Sequence, residues 1–172
     1  MGSMRTARPR DPELHTTEAR ALIELVEVNE ANWMEIAALS VDEEQKGFLD
    51  SPLGILARGY VYRADRARVI GIKEGTRMIG VALVKDLDEE PACYDLQQFM
   101  IDRRYQGRGF GTEALRRILA GLAEERKYGC AEVCVKREAA AALRVYEKLG
   151  FKDTGYVDED APGCLNLMYY FD

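Results

Sequence analysis

Histidine is nearly absent: His15 is the one in 172 residues. That leaves no histidine base in the body of the chain to activate a serine or cysteine nucleophile, so acid–base chemistry has to use carboxylates, tyrosine, cysteine or water. The four cysteines, Cys93, Cys130, Cys134 and Cys164, carry no CxxC spacing, and with so little histidine no metal site is expected. Cys130 and Cys134 stand four apart in a strand-like stretch, which places them on one face as small buried hydrophobes. No apolar run approaches the roughly 20 residues that a membrane helix needs, and no long apolar leader is visible, so a cytoplasmic protein is expected. The net charge of −6 argues against nucleic acid or an anionic membrane as main partner. It is mildly permissive of a cationic small substrate.

What remains is the pattern of one α/β domain. Residues 1–20 are polar and aperiodic, and "MGSM" reads in part as a leftover of cloning, so the fold is expected over residues 21–172. "ALIELVEV" (21–28) reads as a strand. Asn29 then caps a helix through residue 40, with Trp33, Ile36, Ala37 and Ser40 on one face. The segment 41–65 is mixed, and residues 69–87 form a hairpin around "EGT". "CYDLQQFMI" (93–101) is the next strand. A helix follows from about Thr112 to Tyr128 with Gly129 as its stop, and Leu115, Ile118, Leu119 and Leu122 make its apolar stripe. "AEVCVKR" is a strand, "EAAAALRVYEKLG" a helix ended by Gly150, and "FKDTGYVDED" and "CLNLMYYF" are two closing strands. This order implies a mixed, mostly antiparallel central sheet with flanking helices and one βαβ crossover in the middle. No repeat and no interdomain linker interrupts it.

The stretch "RRYQGRGFGTEALRRIL" (103–119) sets glycines at 107, 109 and 111 directly ahead of the long helix. Glycine is costly unless the backbone must turn sharply or approach something closely, and a helix N-terminus favours an anion. A Walker A loop needs Lys-Ser or Lys-Thr after its last glycine, and no lysine is present. A dinucleotide fingerprint needs an acidic residue about 20 positions on, and Glu138 comes too late. The string Ile101-x-x-x-x-Gln106-x-x-Gly109-x-Gly111, followed by "AALRVYEKLGF" (141–151), resembles the acetyl-CoA signatures of the GNAT N-acetyltransferases. "NWMEIAALSVDEEQKGFL" and "DLQQFMIDRRYQGRGFGTEAL" resemble that superfamily's spermine/spermidine acetyltransferase branch.

The resemblance implies a GNAT fold with a splayed middle βαβ and acetyl-CoA as cosubstrate. It implies acetyl transfer to a primary amine, with a polyamine, an amino sugar, an amino acid or a protein N-terminus as acceptor. A catalytically silent acyl-CoA-binding module on the same fold is the rival reading, and a homodimer is left open. Carried onto this chain, the backbone of Phe99, Met100 and Ile101 meets the pantetheine arm, and the Phe99 amide is the oxyanion donor. The backbone from Gln106 through Gly107, Arg108, Gly109, Phe110 and Gly111 to Thr112 cradles the pyrophosphate. Arg103, Arg104 and Arg108 either add charge at the 3′-phosphate or stay in solvent. Tyr146 corresponds to the general acid for the leaving thiolate, although an apolar helix stripe of Ala142, Leu143 and Leu149 would also pack a tyrosine. The family's asparagine seven residues earlier is Ala139 here, which removes one cosubstrate hydrogen bond. Asp95, four before Phe99 and on the same strand face by period two, is a candidate base or a lysine partner. Glu43 and Glu44 are candidates for a second cationic nitrogen of the substrate, or they cap and solvate a helix. Asp86, Asp88, Glu89 and Glu90 add acidity beside the strand that bears Asp95.

Overall fold

The computed structural model describes residues 23–172. The expectations for residues 1–20, and the start of the strand expected over 21–28, lie outside the described residues. The sheet has seven strands: β1 Ile23–Glu27, β2 Arg68–Glu74, β3 Arg77–Leu87, β4 Cys93–Ile101, β5 Cys130–Lys136, β6 Lys152–Asp153 and β7 Cys164–Tyr170. Their spatial order is β1-β2-β3-β4-β5-β7-β6. Every neighbouring pair is antiparallel except β4–β5, which is parallel. A parallel pair needs a long crossover, and helix α3, Phe110–Glu125, supplies it.

Two helical layers cover the sheet. α3 and the helix Ala140–Leu149, here α4, cover one face, where Leu115, Ile118, Leu119 and Leu122 meet Ala82, Val84, Tyr94, Leu96 and Val133. The short helix α1, Trp33–Ala37, and α2, Pro52–Val61, cover the other, where Ile36, Leu39 and Ile55 meet Val81, Leu83 and Met100. Alternation along β3 sends successive side chains into the two layers, which is why its apolar run from Met78 to Val84 is continuous.

Several boundaries differ from the sequence reading. Asn29 opens a turn instead of capping the helix: its amide donates to Asn32 Oδ1, and Asn32 Nδ2 donates to the Glu27 carbonyl. Regular helix therefore starts only at Trp33. Its buried face is then Ile36 and Leu39, while Trp33 is 42% exposed. The helix α3 begins at Phe110 and ends at Arg126, whose φ of 53° breaks it three residues before Gly129. The strand expected over 151–160 shrinks to Lys152–Asp153, because Gly155 (φ 71°) turns the chain away. Cys130 and Cys134 do share a face, but only Cys130 is buried, among Cys93 and Met168. Cys134 lies beyond the point where β4 leaves β5 and is exposed.

Candidate active site

β4 and β5 pair at two rungs only, Tyr94 with Ala131 and Asp95 with Glu132. Past Asp95 they part. Between them opens a cleft of about 620 Å³, walled by Phe99, Met100 and Ile101 on β4 and by Val133, Cys134 and Val135 on β5. Among the described residues the inner edge of β4 has no strand partner beyond the rung Asp95–Glu132, which leaves backbone at that edge for a ligand. The outer end of the cleft is formed by Gln106, Gly107, Gly109, Gly111 and Thr112, and the far wall by α4 with Tyr146 and by Ala139 at its cap.

The loop ahead of α3 is built to present backbone. Gly107 (φ 73°) and Gly109 (φ 84°) are left-handed, and a Cβ at either would meet open space. The cradle is therefore open where an anion would sit, and acetyl-CoA's pyrophosphate fits its donor chemistry. Gln106 turns its side chain inward as a brace. Its Nε2 donates to the Ile101 carbonyl at 2.8 Å and to Gln45 Oε1 at 2.9 Å, and its Oε1 accepts from Gln45 Nε2 at 3.1 Å. Phe110 buries its ring in the core under the loop, and the Arg108 guanidinium lies 4.7 Å over that ring. Neither Arg108 nor Phe110 lines the cleft, so any part they have in binding is through the backbone. Below the loop, Asp102 is fully buried and accepts from the amides of Ser40 (2.9 Å) and Arg104 (3.0 Å) and from Arg104 Nε (2.8 Å). Burial pushes this carboxyl up, but those donors outweigh it and hold it below the usual range.

Tyr146 is buried on α4 and stands edge-on to Phe151 at 5.2 Å. Burial pushes its phenol well above the ordinary tyrosine value, so it stays protonated across the working pH range. Asp95 is placed differently from the period-two expectation. Leu83 faces Gln98 and Val84 faces Leu96, so Gln97 is an extra residue, a β-bulge, that reverses the alternation. Phe99 packs into the α3 side, whereas Asp95, between Tyr94 and Leu96, faces the α1 and α2 side. Asp95 stands at the inner end of the cleft without lining it. Gln97 lines the cleft and donates to Asp95 Oδ2 at 2.9 Å. Burial pushes Asp95 upward against the pull of Gln97, Lys85 and Arg58.

Of the two glutamates on the substrate side, Glu44 lines the cleft and Glu43 does not. Glu43 is highly exposed and pairs with Lys46 one helical turn on. Two acids at the end of β3, Asp86 and Asp88, are also committed elsewhere. Asp86 is buried under Arg66, Arg68 and Lys127, and Asp88 is held by Arg66 and Tyr128. Arg104 is spent on Asp102. The cations that do line the cleft, Lys136, Arg144 and Lys148, were missed by sequence reasoning. The i,i+4 spacing of Arg144 and Lys148 on one face of α4 was the available signal. Among the described residues no group of three or more His, Cys, Asp or Glu is arranged to hold a metal. None of their helices is long and apolar enough to cross a membrane.

The splayed strand pair beside a glycine-rich loop is the geometry that the sequence resemblance implies. Residues 33–151 match the model of the acetyltransferase (GNAT) family, and the chain belongs to that family. The spermine/spermidine N(1)-acetyltransferase of Bacillus subtilis (strain 168) is 27% identical over 139 residues, 79% of this chain and 91% of that one. The N-alpha-acetyltransferase RimI of Mycobacterium tuberculosis is 31% identical over 87 residues, 50% of this chain and 52% of that one. Among solved structures, the spermidine N-acetyltransferase of Vibrio cholerae in complex with CoA and spermine superposes with a TM-score of 0.67 at 16% identity. The superposition covers 88% of this chain and 95% of that one.

Proposed function

We propose that residues 21–172 form a single N-acetyltransferase domain that moves the acetyl group of acetyl-CoA to a primary amine by direct attack in a ternary complex, with a polyamine such as spermidine as acceptor. The observation that carries this reading is the cleft itself. It opens at the last β4–β5 rung, runs past Tyr146 and ends in the glycine loop.

In this reading the amides from Gln106 to Thr112 hold the pyrophosphate, with Lys136, Arg144 and Lys148 as supporting charge. The free edge of β4 at Phe99 to Ile101 aligns the pantetheine arm. The Phe99 amide donates to the thioester oxygen, where charge builds as the amine nitrogen attacks, and one preorganised donor there is worth about 3 kcal/mol. The C–S bond breaks, Tyr146 passes its phenolic proton to the departing thiolate, and the second proton shed by the acylated nitrogen returns through water to the phenolate. Asp95, reached through the Gln97 end of the cleft, takes the proton that the ammonium must lose. Glu44 holds a second ammonium. Ala139, in the place of the family's asparagine, offers no side-chain hydrogen bond and weakens affinity for the cosubstrate.

The polyamine reading draws support from the Bacillus subtilis and Vibrio cholerae enzymes, whose names state that substrate class, and from Glu44 in the cleft wall. The test is a panel of amines with acetyl-CoA, following release of free thiol. A polyamine should exceed a monoamine of similar length by about 10- to 100-fold in kcat/KM at low salt, and the gap should shrink as ionic strength rises. Equal values would remove the polyamine and leave the acetyltransferase. Binding of acetyl-CoA without thiol release for any amine would leave only an acyl-CoA-binding module.

A further inference from the structure

A row of side chains crosses the sheet at the inner end of the cleft. The register partner of Asp95 on β3 is Lys85, its partner on β5 is Glu132, and Glu132 in turn faces Met168 on β7. Neighbouring strands lie about 4.8 Å apart, and register partners leave the sheet on the same side. Two half-buried carboxylates therefore face each other across the last rung before the strands part.

Among the described residues the cations around them offset the pair's charge in part, through space, without an ion pair to either carboxylate. Lys85 from β3 places its ammonium 5.4 Å over the Tyr62 ring. Among the described residues it closes no ion pair within 4 Å with either carboxylate. Arg58 from α2 is bonded to Asp50 at 2.9 Å. The other titratable neighbours are the thiols of Cys93 on β4 and of Cys130 and Cys134 on β5, all pushed upward, first by loss of solvation and then by nearby acidic groups. The Asp95 charge is felt at Cys134, which lines the cleft. Gln97 links the pair to the cleft: it donates to Asp95, and its buried Oε1 has no hydrogen-bond partner.

We propose that Glu132 is a positioning residue for the reaction, facing Asp95 so that the two carboxylates act as one unit in taking up the proton of the substrate ammonium. The inference rests on the reading of the cleft as an amine-acetylation site. An N–H bond of the ammonium breaks, an O–H bond forms at Asp95, and the neutral amine keeps the electron pair it needs for attack. Like charges this close resist ionising together, so the first proton binds more tightly than to either carboxylate alone. Burial and then the Asp95 charge push Glu132 up against the pull of Cys93 and Lys85, while burial alone pushes Asp95 up against Gln97, Lys85 and Arg58. A stronger base is better matched to an alkylammonium.

The test titrates the carboxyl carbons of Asp95 and Glu132 by NMR in the wild type, Glu132→Gln and Asp95→Asn, beside the pH profile of thiol release. In Glu132→Gln the Asp95 midpoint should fall by about one pH unit or more. The acid limb of kcat/KM should move down with it, and kcat should drop more than KM for the amine changes. Glu132→Asp should restore part of the shift. In Asp95→Asn the Glu132 midpoint should fall reciprocally, so the coupling is measurable even if one variant folds poorly. Independent midpoints that ignore the neighbour's removal, with an unmoved acid limb, would overturn the dyad while acetylation continued. Coupled midpoints in a protein that acetylates no amine would instead overturn the proposed function, and the catalytic role of the pair with it.

Discussion

Gln106 and Gln45 exchange two side-chain hydrogen bonds, 2.9 and 3.1 Å long, that tie the glycine loop to the segment after α1. The same Gln106 amide also caps the Ile101 carbonyl at the end of β4. The loop is thus held in shape before any ligand arrives, and preorganisation lowers the ordering cost of binding. Gln106→Ala should weaken CoA binding by about tenfold, given a net value of about 1 kcal/mol per hydrogen bond. Gln45→Ala should show a smaller effect of the same sign. Calorimetric titration with CoA checks both, and unchanged affinity in Gln106→Ala would mean that the brace does not shape the site.

Gly109→Glu should abolish the stabilisation that CoA confers. The substitution places a side chain at φ 84° and a negative charge in the open space of the cradle. A ligand that binds only the native state raises Tm by mass action, so the readout is the shift in Tm on adding CoA. The apo variant should lose only a few degrees, and its CoA-dependent shift should vanish.

Removing the charge of Asp102 should destabilise the protein through the loop's foundation. Asp102→Asn loses charge-assisted acceptance from Arg104 and the Ser40 amide, and Tm should fall by about 5 °C at neutral pH. Because the folded carboxyl is held below its ordinary value, its contribution is present above about pH 4 and lost as pH falls through the folded value. The gap in Tm between wild type and variant should therefore close on acidification. A gap that widened in acid would contradict the assignment.

Element types were legible because periodicity and the stop at Gly150 obey local rules, whereas the left-handed stop at Arg126 carries no compositional signal and Gly129 was read in its place. The loop was legible for a similar reason, since Gly107 and Gly109 need backbone conformations that other residues resist. What was not legible depended on partners distant in sequence. The bulge at Gln97 is visible only once β3 is paired to β4, and without it Asp95 falls on the wrong face. Glu132 becomes notable only when the parallel register sets it beside Asp95. Asp86 and Asp88 looked available to a cationic substrate until Arg66, Arg68 and Lys127 closed over them.

That last point separates two acidic regions by experiment. Glu44→Gln should raise KM for spermidine by up to about fivefold and leave KM for a simple alkyl monoamine nearly unchanged, as for a partly exposed ion pair. Asp88→Asn, on a residue already bonded to Arg66 and Tyr128, should leave both KM values where they were. The reverse pattern would move the second ammonium site from the cleft wall to the end of β3.

The most direct test of the account compares thiol release from acetyl-CoA by the wild type and Tyr146→Phe, at saturating acetyl-CoA and spermidine. The substitution keeps the ring against Phe151 and deletes only the hydroxyl, so Tm should hardly move. The account predicts release that requires the amine and falls by about 10²-fold in the variant, the range for a lost general acid. Equal rates for the two proteins, or release indifferent to the amine, would contradict it.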